Sequence, residues 1–275
     1  MPPTSSSFTP LNITNDVVPE WMGSFTLAAP PNTDLWRKPP SRDTSTAPIL
    51  YTALRNPFVA AEVTVSADWE LEWDQGGLVI FAGAPPGQIP VVSPEPRRVI
   101  DLALEDEALP SPSQALDING FNATRAQDSH LDPPRERSPP PPYVPPAPAS
   151  KWVKVGLEFC NNACHATSVV ANCEGADWSL SALPPHHARR LDLRVKIERI
   201  GYALWVWYED EMMGWKKLRE VTWFFWGVED KAVRVGVYAS RPANFGMSMF
   251  ERRNGSGQNS GARNLCVDFE GLEIG

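Results

Sequence analysis

Much of the chain is written in strict alternation. In KWVKVGLEF, residues 151–159, the apolar Val153, Val155, Leu157 and Phe159 alternate with Trp152, Lys154, Gly156 and Glu158. That period of two places successive side chains on opposite faces of a β-strand. The same period, or the β-branched and aromatic enrichment that accompanies it, marks NPFVAAEVTVSADWELEW, GGLVIFAG, ATSVVANC, LDLRVKIERI, YALWVWYE, WKKLREVTWF, AVRVGVYAS and NLCVDFEGLEI. No long amphipathic helical pattern competes with these runs. Nine or more short strands at hairpin spacing predict an all-β fold, two antiparallel sheets packed as a sandwich.

Proline interrupts the alternation. Sixteen of the 29 prolines fall between Ala82 and Ser150, and proline removes the N–H a sheet ladder needs. The spacing therefore predicts a largely irregular insertion over residues 84–149, with a short helix near residues 97–109. The strands on either side are too few for separate cores, so residues 1–275 read as one domain. The run PPPPYVPPAP is in addition a candidate docking segment for a protein partner that recognises polyproline helices. Residues 252–264, rich in Gly, Ser and Asn, read as a loop before the last strand.

Charge and cysteine content narrow the partners. With a net charge of -8 and no basic block, the chain has no electrostatic footprint for a phosphate backbone or an anionic membrane. It has no apolar run long enough for a span or a signal peptide, so a cytoplasmic protein is expected. The four cysteines suit a reduced protein. Cys160, Cys164, His165 and Cys173 offer soft ligands, but a lone C-x3-C lacks the second knuckle of a zinc site. The favoured reading is a hairpin turn at Asn161-Asn162, across which Cys160 and Cys164 face each other closely enough to bond under oxidation. Cys266 reads as a buried apolar filler. No metal or other cofactor is expected, and no Asp-rich loop suits calcium.

Six short strings then fall into one order: TDLWR (33–37), DQGGLVI (74–80), KWVKVGLEF (151–159), SVV (168–170), DWS (177–179) and VRVGVYASRP (233–242). This set resembles the uncharacterised family named after a fungal regulator-of-enolase protein. The resemblance implies a concanavalin A-like lectin/glucanase fold, a jelly-roll sandwich with a concave, lectin-like face. It covers about residues 20–81 and 151–272, and the long insertion departs from it.

The candidate site follows from the outward faces. Core positions assigned to Val233, Val235 and Val237 leave Arg234, Gly236 and Tyr238 outward, while inward Leu191, Leu193, Val195 and Ile197 leave Arg194 outward. With Asp74, Gln75, Trp152, Lys154 and Glu158 these residues mix rings, carboxylates, an amide and cations, the groups a sugar or another small polar ligand needs. Gly76, Gly77, Gly156 and Gly236 agree with close approach of backbone to such a ligand. Structural roles are assigned instead to Asp34 as a turn cap, Trp36 as an anchor and Trp178 as a buried ring, and Arg37 is placed to reach a carboxylate. Two enzyme readings stand beside binding. Asp68, Glu70, Glu72 and Asp74 would stand along one strand face as glycosidase carboxylates do, though a solvated acidic edge is the plainer account. Lys154 as a general base, with Glu158 or Tyr238 as its partner, would suit a lyase or isomerase. A regulatory protein-binding module of carbohydrate metabolism is the third reading.

Overall fold

The computed structural model describes residues 3–4, 7–14, 18–40, 42–88, 149–187, 190–229, 231–243 and 263–275. Most of the proline-rich insertion, including the expected helix at 97–109 and the PPPPYVPPAP run, lies outside them, as does most of the 252–264 loop. The described strands are β1 Phe8–Leu11, β2 Ser24–Ala29, β3 Leu35–Lys38, β4 Arg42–Ser45, β5 Ile49–Ala53, β6 Ala60–Ala67, β7 Gln75–Ala82, β8 Lys151–Cys160, β9 Ala163–Ala171, β10 Ala176–Ala182, β11 Asp192–Ile200, β12 Ala203–Asp210, β13 Gly214–Val221, β14 Val233–Ser240 and β15 Leu265–Ile274. Seven form one sheet in the order β1-β5-β14-β7-β8-β9-β10, and six form the other, β13-β12-β11-β6-β15-β2. The hairpin β3–β4 stands apart as a two-stranded piece. The fold is thus the expected all-β sandwich.

Alternation builds the inter-sheet core as predicted. Val63 and Val65 of β6, Val195 and Ile197 of β11, Leu78 and Ile80 of β7, Val153, Val155 and Leu157 of β8, and Val235 and Val237 of β14 are buried in one cluster. Each such side chain contributes about 1.5–3 kcal/mol by leaving water. A second cluster lies on the opposite face of the seven-stranded sheet, where Val79, Phe81, Trp152, Val169 and Tyr238 pack with Leu35, Ala47 and Tyr51. Every residue of β7 is consequently buried. Residues 33–47 cover that face, and Arg37 holds them down: its guanidinium donates to both Asp43 oxygens, at 2.7 and 2.9 Å, and to the carbonyls of Ser150 and Asn172. The reach of Arg37 toward a carboxylate is as expected.

Several sequence expectations are corrected. DWELEWD does not continue β6 as a strand: the chain turns there, Trp73 adopts a φ of 69°, and Asp74 Oδ2 accepts the amides of Glu70 and Leu71. The four carboxylates therefore form no row. The turn at Asn161-Asn162 forms, with φ of 54° and 60°, the left-handed pair of a type I′ hairpin. Its register opposes Cys160 to Ala163 and Cys164 to Phe159, so the two thiols point to opposite faces and do not bond. The same register divides the Cys160, Cys164 and His165 ligand set. Cys266 is exposed rather than buried, and Leu191, just before β11, is 48 % exposed.

The glycines answer to neighbouring strands. A Cβ on Gly156 would stand 1.8 Å from the Gly76 carbonyl oxygen, and one on Gly236 would stand 1.9 Å from that of Leu50. Close strand approach, not a ligand, demands glycine at both places.

Candidate functional site

The uncovered part of the second face is a cleft of about 430 Å³, within the range of about 300–1,000 Å³ common for small-molecule sites. Gln75, Lys154, Glu158 and Val169 line it from the sheet, and Asp34, Trp36 and Lys38 line it from the β3 segment. Trp73, Trp178 and Pro242 complete it from the β6–β7 loop, β10 and the end of β14. Three indoles thus surround a polar floor.

Sheet register sets the floor. Gln75 pairs with Glu158 and Val79 with Lys154 across β7–β8, while Glu158 lies opposite His165 on β9. Lys154 and Glu158, four residues apart on one strand, share a face. Both are almost wholly buried, each with 1 % of its surface exposed, so both need partners. Lys154 Nζ donates to Asp34 Oδ1 at 3.0 Å and lies 5.5 Å from the centre of the Tyr238 ring. Glu158 Oε2 accepts from Thr167 Oγ1 at 2.7 Å and from Trp178 Nε1 at 3.2 Å. Beneath them, Tyr238 donates to Gln75 Oε1 at 3.3 Å, and the Gln75 amide donates to the Trp73 carbonyl.

The position of Asp34 has its own cause. Ser240 Oγ donates to the Thr33 carbonyl at 2.7 Å, and the backbone of Arg241 exchanges bonds with Thr33. The strand end of β14 therefore fixes the residue before Asp34. The backbone carbonyl of Asp34 accepts from Thr46 and Ala47, and its carboxylate Oδ1 accepts the Leu35 amide at 2.7 Å as well as meeting Lys154. Asp34 thus bonds the backbone of its turn as expected and also supplies the counter-ion of the buried lysine.

Burial pushes the Glu158 carboxyl above its ordinary value; Thr167, Lys154 and Trp178 oppose that shift, and the charge of Asp34 adds to it. Tyr238 is pushed well above the usual phenol value by burial and then by Glu158 and Asp34. A lysine with three N–H groups and one carboxylate partner keeps two donors for a ligand. Both bonds to Glu158 go to Oε2, so Oε1 keeps its lone pairs.

The structure brings together some of the sequence-predicted residues and separates others. Gln75, Lys154 and Glu158 line the cleft, and Tyr238 lies directly under it. Trp152 shares their face but is completely buried in the cluster with Leu35 and Phe81. Asp74 faces away into a bidentate pair with Arg241, at 2.8 and 2.7 Å. Arg234 sits four residues along β14 from Tyr238, a span of about 13 Å, and its guanidinium donates to the Gly83 carbonyl at 2.7 Å. Arg194 belongs to β11 of the six-stranded sheet, where it pairs with Glu62 and lies over the Trp215 ring. Periodicity fixed its outward orientation but carries no information on which sheet receives the strand.

Asp34, Trp36, Trp73, Trp178 and Thr167 are the site residues that sequence reasoning missed. TDLWR and DWS had drawn attention as strings, but turn capping and burial were the readings given to their side chains. Trp178 is in fact 42 % exposed.

Comparison with known proteins places these features in a wider set. A family described as "Protein of unknown function (DUF1349)" matches residues 14–254; that description names neither an activity nor enolase. An uncharacterised protein of Emericella nidulans, AN7484, is 30% identical over 225 residues, 81% of this chain and 79% of the relative. Among solved structures, a functionally unknown protein from Saccharomyces cerevisiae superposes with a TM-score of 0.56 at 17% identity, covering 99% of this chain and 98% of the other. A xylan beta-1,4-xylosidase from Bacillus halodurans C-125 superposes with a TM-score of 0.51 at 9% identity, over the whole of this chain and 37% of that enzyme. Both structural likenesses show a shared sandwich fold.

Proposed function

The chain belongs to this family of proteins of unknown function (DUF1349), and from that premise we propose that its cleft binds a carbohydrate or a similar small polyhydroxylated ligand. The observation that carries the reading is the convergence of Trp36, Trp73 and Trp178 around buried Lys154, Glu158 and Gln75. Indole rings offer flat apolar surface to the C–H faces of a sugar ring. The spare donors of Lys154 and the spare acceptor of Glu158 suit paired bonds to neighbouring hydroxyls, each of which both gives and takes a proton. The xylan beta-1,4-xylosidase that shares this sandwich fold agrees with this reading without specifying a ligand.

A thermal-shift screen tests it, with the full chain titrated with xylotriose, cellotriose, laminaritriose, galactose and glucuronate. A ligand that binds the folded state raises the Tm through mass action. At least one probe is expected to raise it, with the rise lost in Lys154→Ala and Trp178→Ala. A flat response across the panel, or a rise that both variants retain, overturns the proposal and favours a protein partner.

The raised pKa of Glu158 favours a second reading, in which the bound ligand is also turned over with Glu158 as general acid. Release of nitrophenol from nitrophenyl glycosides by the parent but not by Glu158→Gln is the result this reading expects. No release above the buffer rate removes it.

A further inference from the structure

Away from the cleft, the turn before β11 and the β12–β13 turn bring His186, His187 and Asp210 together. One nitrogen or oxygen from each lies within 4.8 Å of the other two. His186 Nε2 is 3.2 Å from Asp210 Oδ1, and the two imidazole centres are 5.0 Å apart. Asp210 is fixed in place because Oδ1 also accepts the amides of Met212 and Met213, at 2.9 and 3.1 Å. His187 is 2 % exposed, and among the described residues its Nδ1 is buried without a hydrogen-bond partner. The Glu211 amide donates to its Nε2 at 3.3 Å. A buried imidazole nitrogen with nothing to bond costs free energy.

We infer that His186, His187 and Asp210 form a site for a divalent transition metal such as zinc, cobalt or nickel. Two neutral imidazoles and one carboxylate are borderline donors that suit these ions and disfavour magnesium and calcium. The nearby Arg190 is neutralised by contacts with Asp192 and Glu211. On binding, the metal takes the place of the proton between His186 Nε2 and Asp210, and that proton moves to the other ring nitrogen or to water. The His187 ring binds the ion through its unprotonated nitrogen, with its one proton held on the other. His186, partly exposed at 35 %, opens the path from solvent, and water fills the remaining positions. The ion would tie the turn before β11 to the end of β12.

The test is a titration of the full chain with cobalt, followed by its visible d–d absorption, in a Cys173→Ser, Cys266→Ser background that removes the exposed thiols. Saturation at one cobalt per chain, displacement by zinc and indifference to magnesium are expected. In the His186→Ala variant, shown to be folded by its circular dichroism, the midpoint should rise by about tenfold or more. No absorption in the parent background, or an unchanged midpoint in His186→Ala, overturns the assignment.

Discussion

At the residue scale the account rests on Lys154 and Glu158, two charged groups carried into an apolar face and satisfied there by partners from other elements. The raised pKa of Glu158 has a definite thermodynamic sign. A group whose folded-state pKa lies above its unfolded value contributes stability that is fully present below the unfolded value, about 4.3 for a glutamate, and is lost as pH rises through the folded value. Thermal denaturation from pH 4 to 8 should therefore show a decline in the parent that is absent in Glu158→Gln, whose amide oxygen still accepts from Thr167 and Trp178. Parallel pH profiles would contradict the assignment. The thiols permit a second check. Cys160 is pushed up to about 11, mainly by its hydrogen bond to Glu72 and then by burial, and Cys164 to about 11 by burial. Since the thiolate is the nucleophile, iodoacetamide at pH 8 should modify exposed Cys266 well before either of them, as peptide mass mapping would show. Such detail was partly legible in the sequence. Alternation put Lys154, Glu158 and Tyr238 on the correct faces, but the burial of Lys154 depends on Asp34, about 120 residues away, which no local pattern reports.

At the scale of elements, two features define the cleft: strand crowding beneath it and the loop before β7. The 1.8 Å approach at Gly156 leaves no room for a methyl group, so Gly156→Ala should destabilise the fold by at least about 1–3 kcal/mol, the usual cost of overpacking. A denaturant midpoint unchanged in that variant would refute the crowding. The loop carrying Trp73 is pinned by the buried pair of Asp74 with Arg241, whose side chains are 0 % and 3 % exposed. Breaking such a pair strands a charge, and Asp74→Ala should cost about 3–5 kcal/mol in urea unfolding. A loss under 1 kcal/mol, on the order of a solvent-screened pair, would show that Arg241 finds water or another partner. The elements also explain where the sequence misled. DWELEWD has the alternation of a strand, yet Trp69 and Leu71 are buried on a turn that Asp74 closes from within. A carboxylate accepting two local amides outcompetes strand extension there.

For the molecule as a whole, the sandwich was legible because nearly every strand has one face in the common core, and period two records that burial. The assignment of β11 and β12 to the opposite sheet from β8 was not legible, since both sheets impose the same period; Arg194 was misplaced for that reason. Equally hidden was the segment before β5, whose Leu35 and Ala47 pack on the second face of the seven-stranded sheet and whose Asp34, Trp36 and Lys38 bound the cleft. Arg37, donating to Asp43, Ser150 and Asn172, is what keeps it there. The proposal that this bounded cleft, walled by three indoles, takes a sugar is tested by a tryptophan-fluorescence titration of the parent and Trp178→Ala with xylotriose and cellotriose. A saturable change is expected in the parent for at least one of them, strongly weakened in the variant. No saturable change with either sugar, or an identical titration in Trp178→Ala, would contradict it.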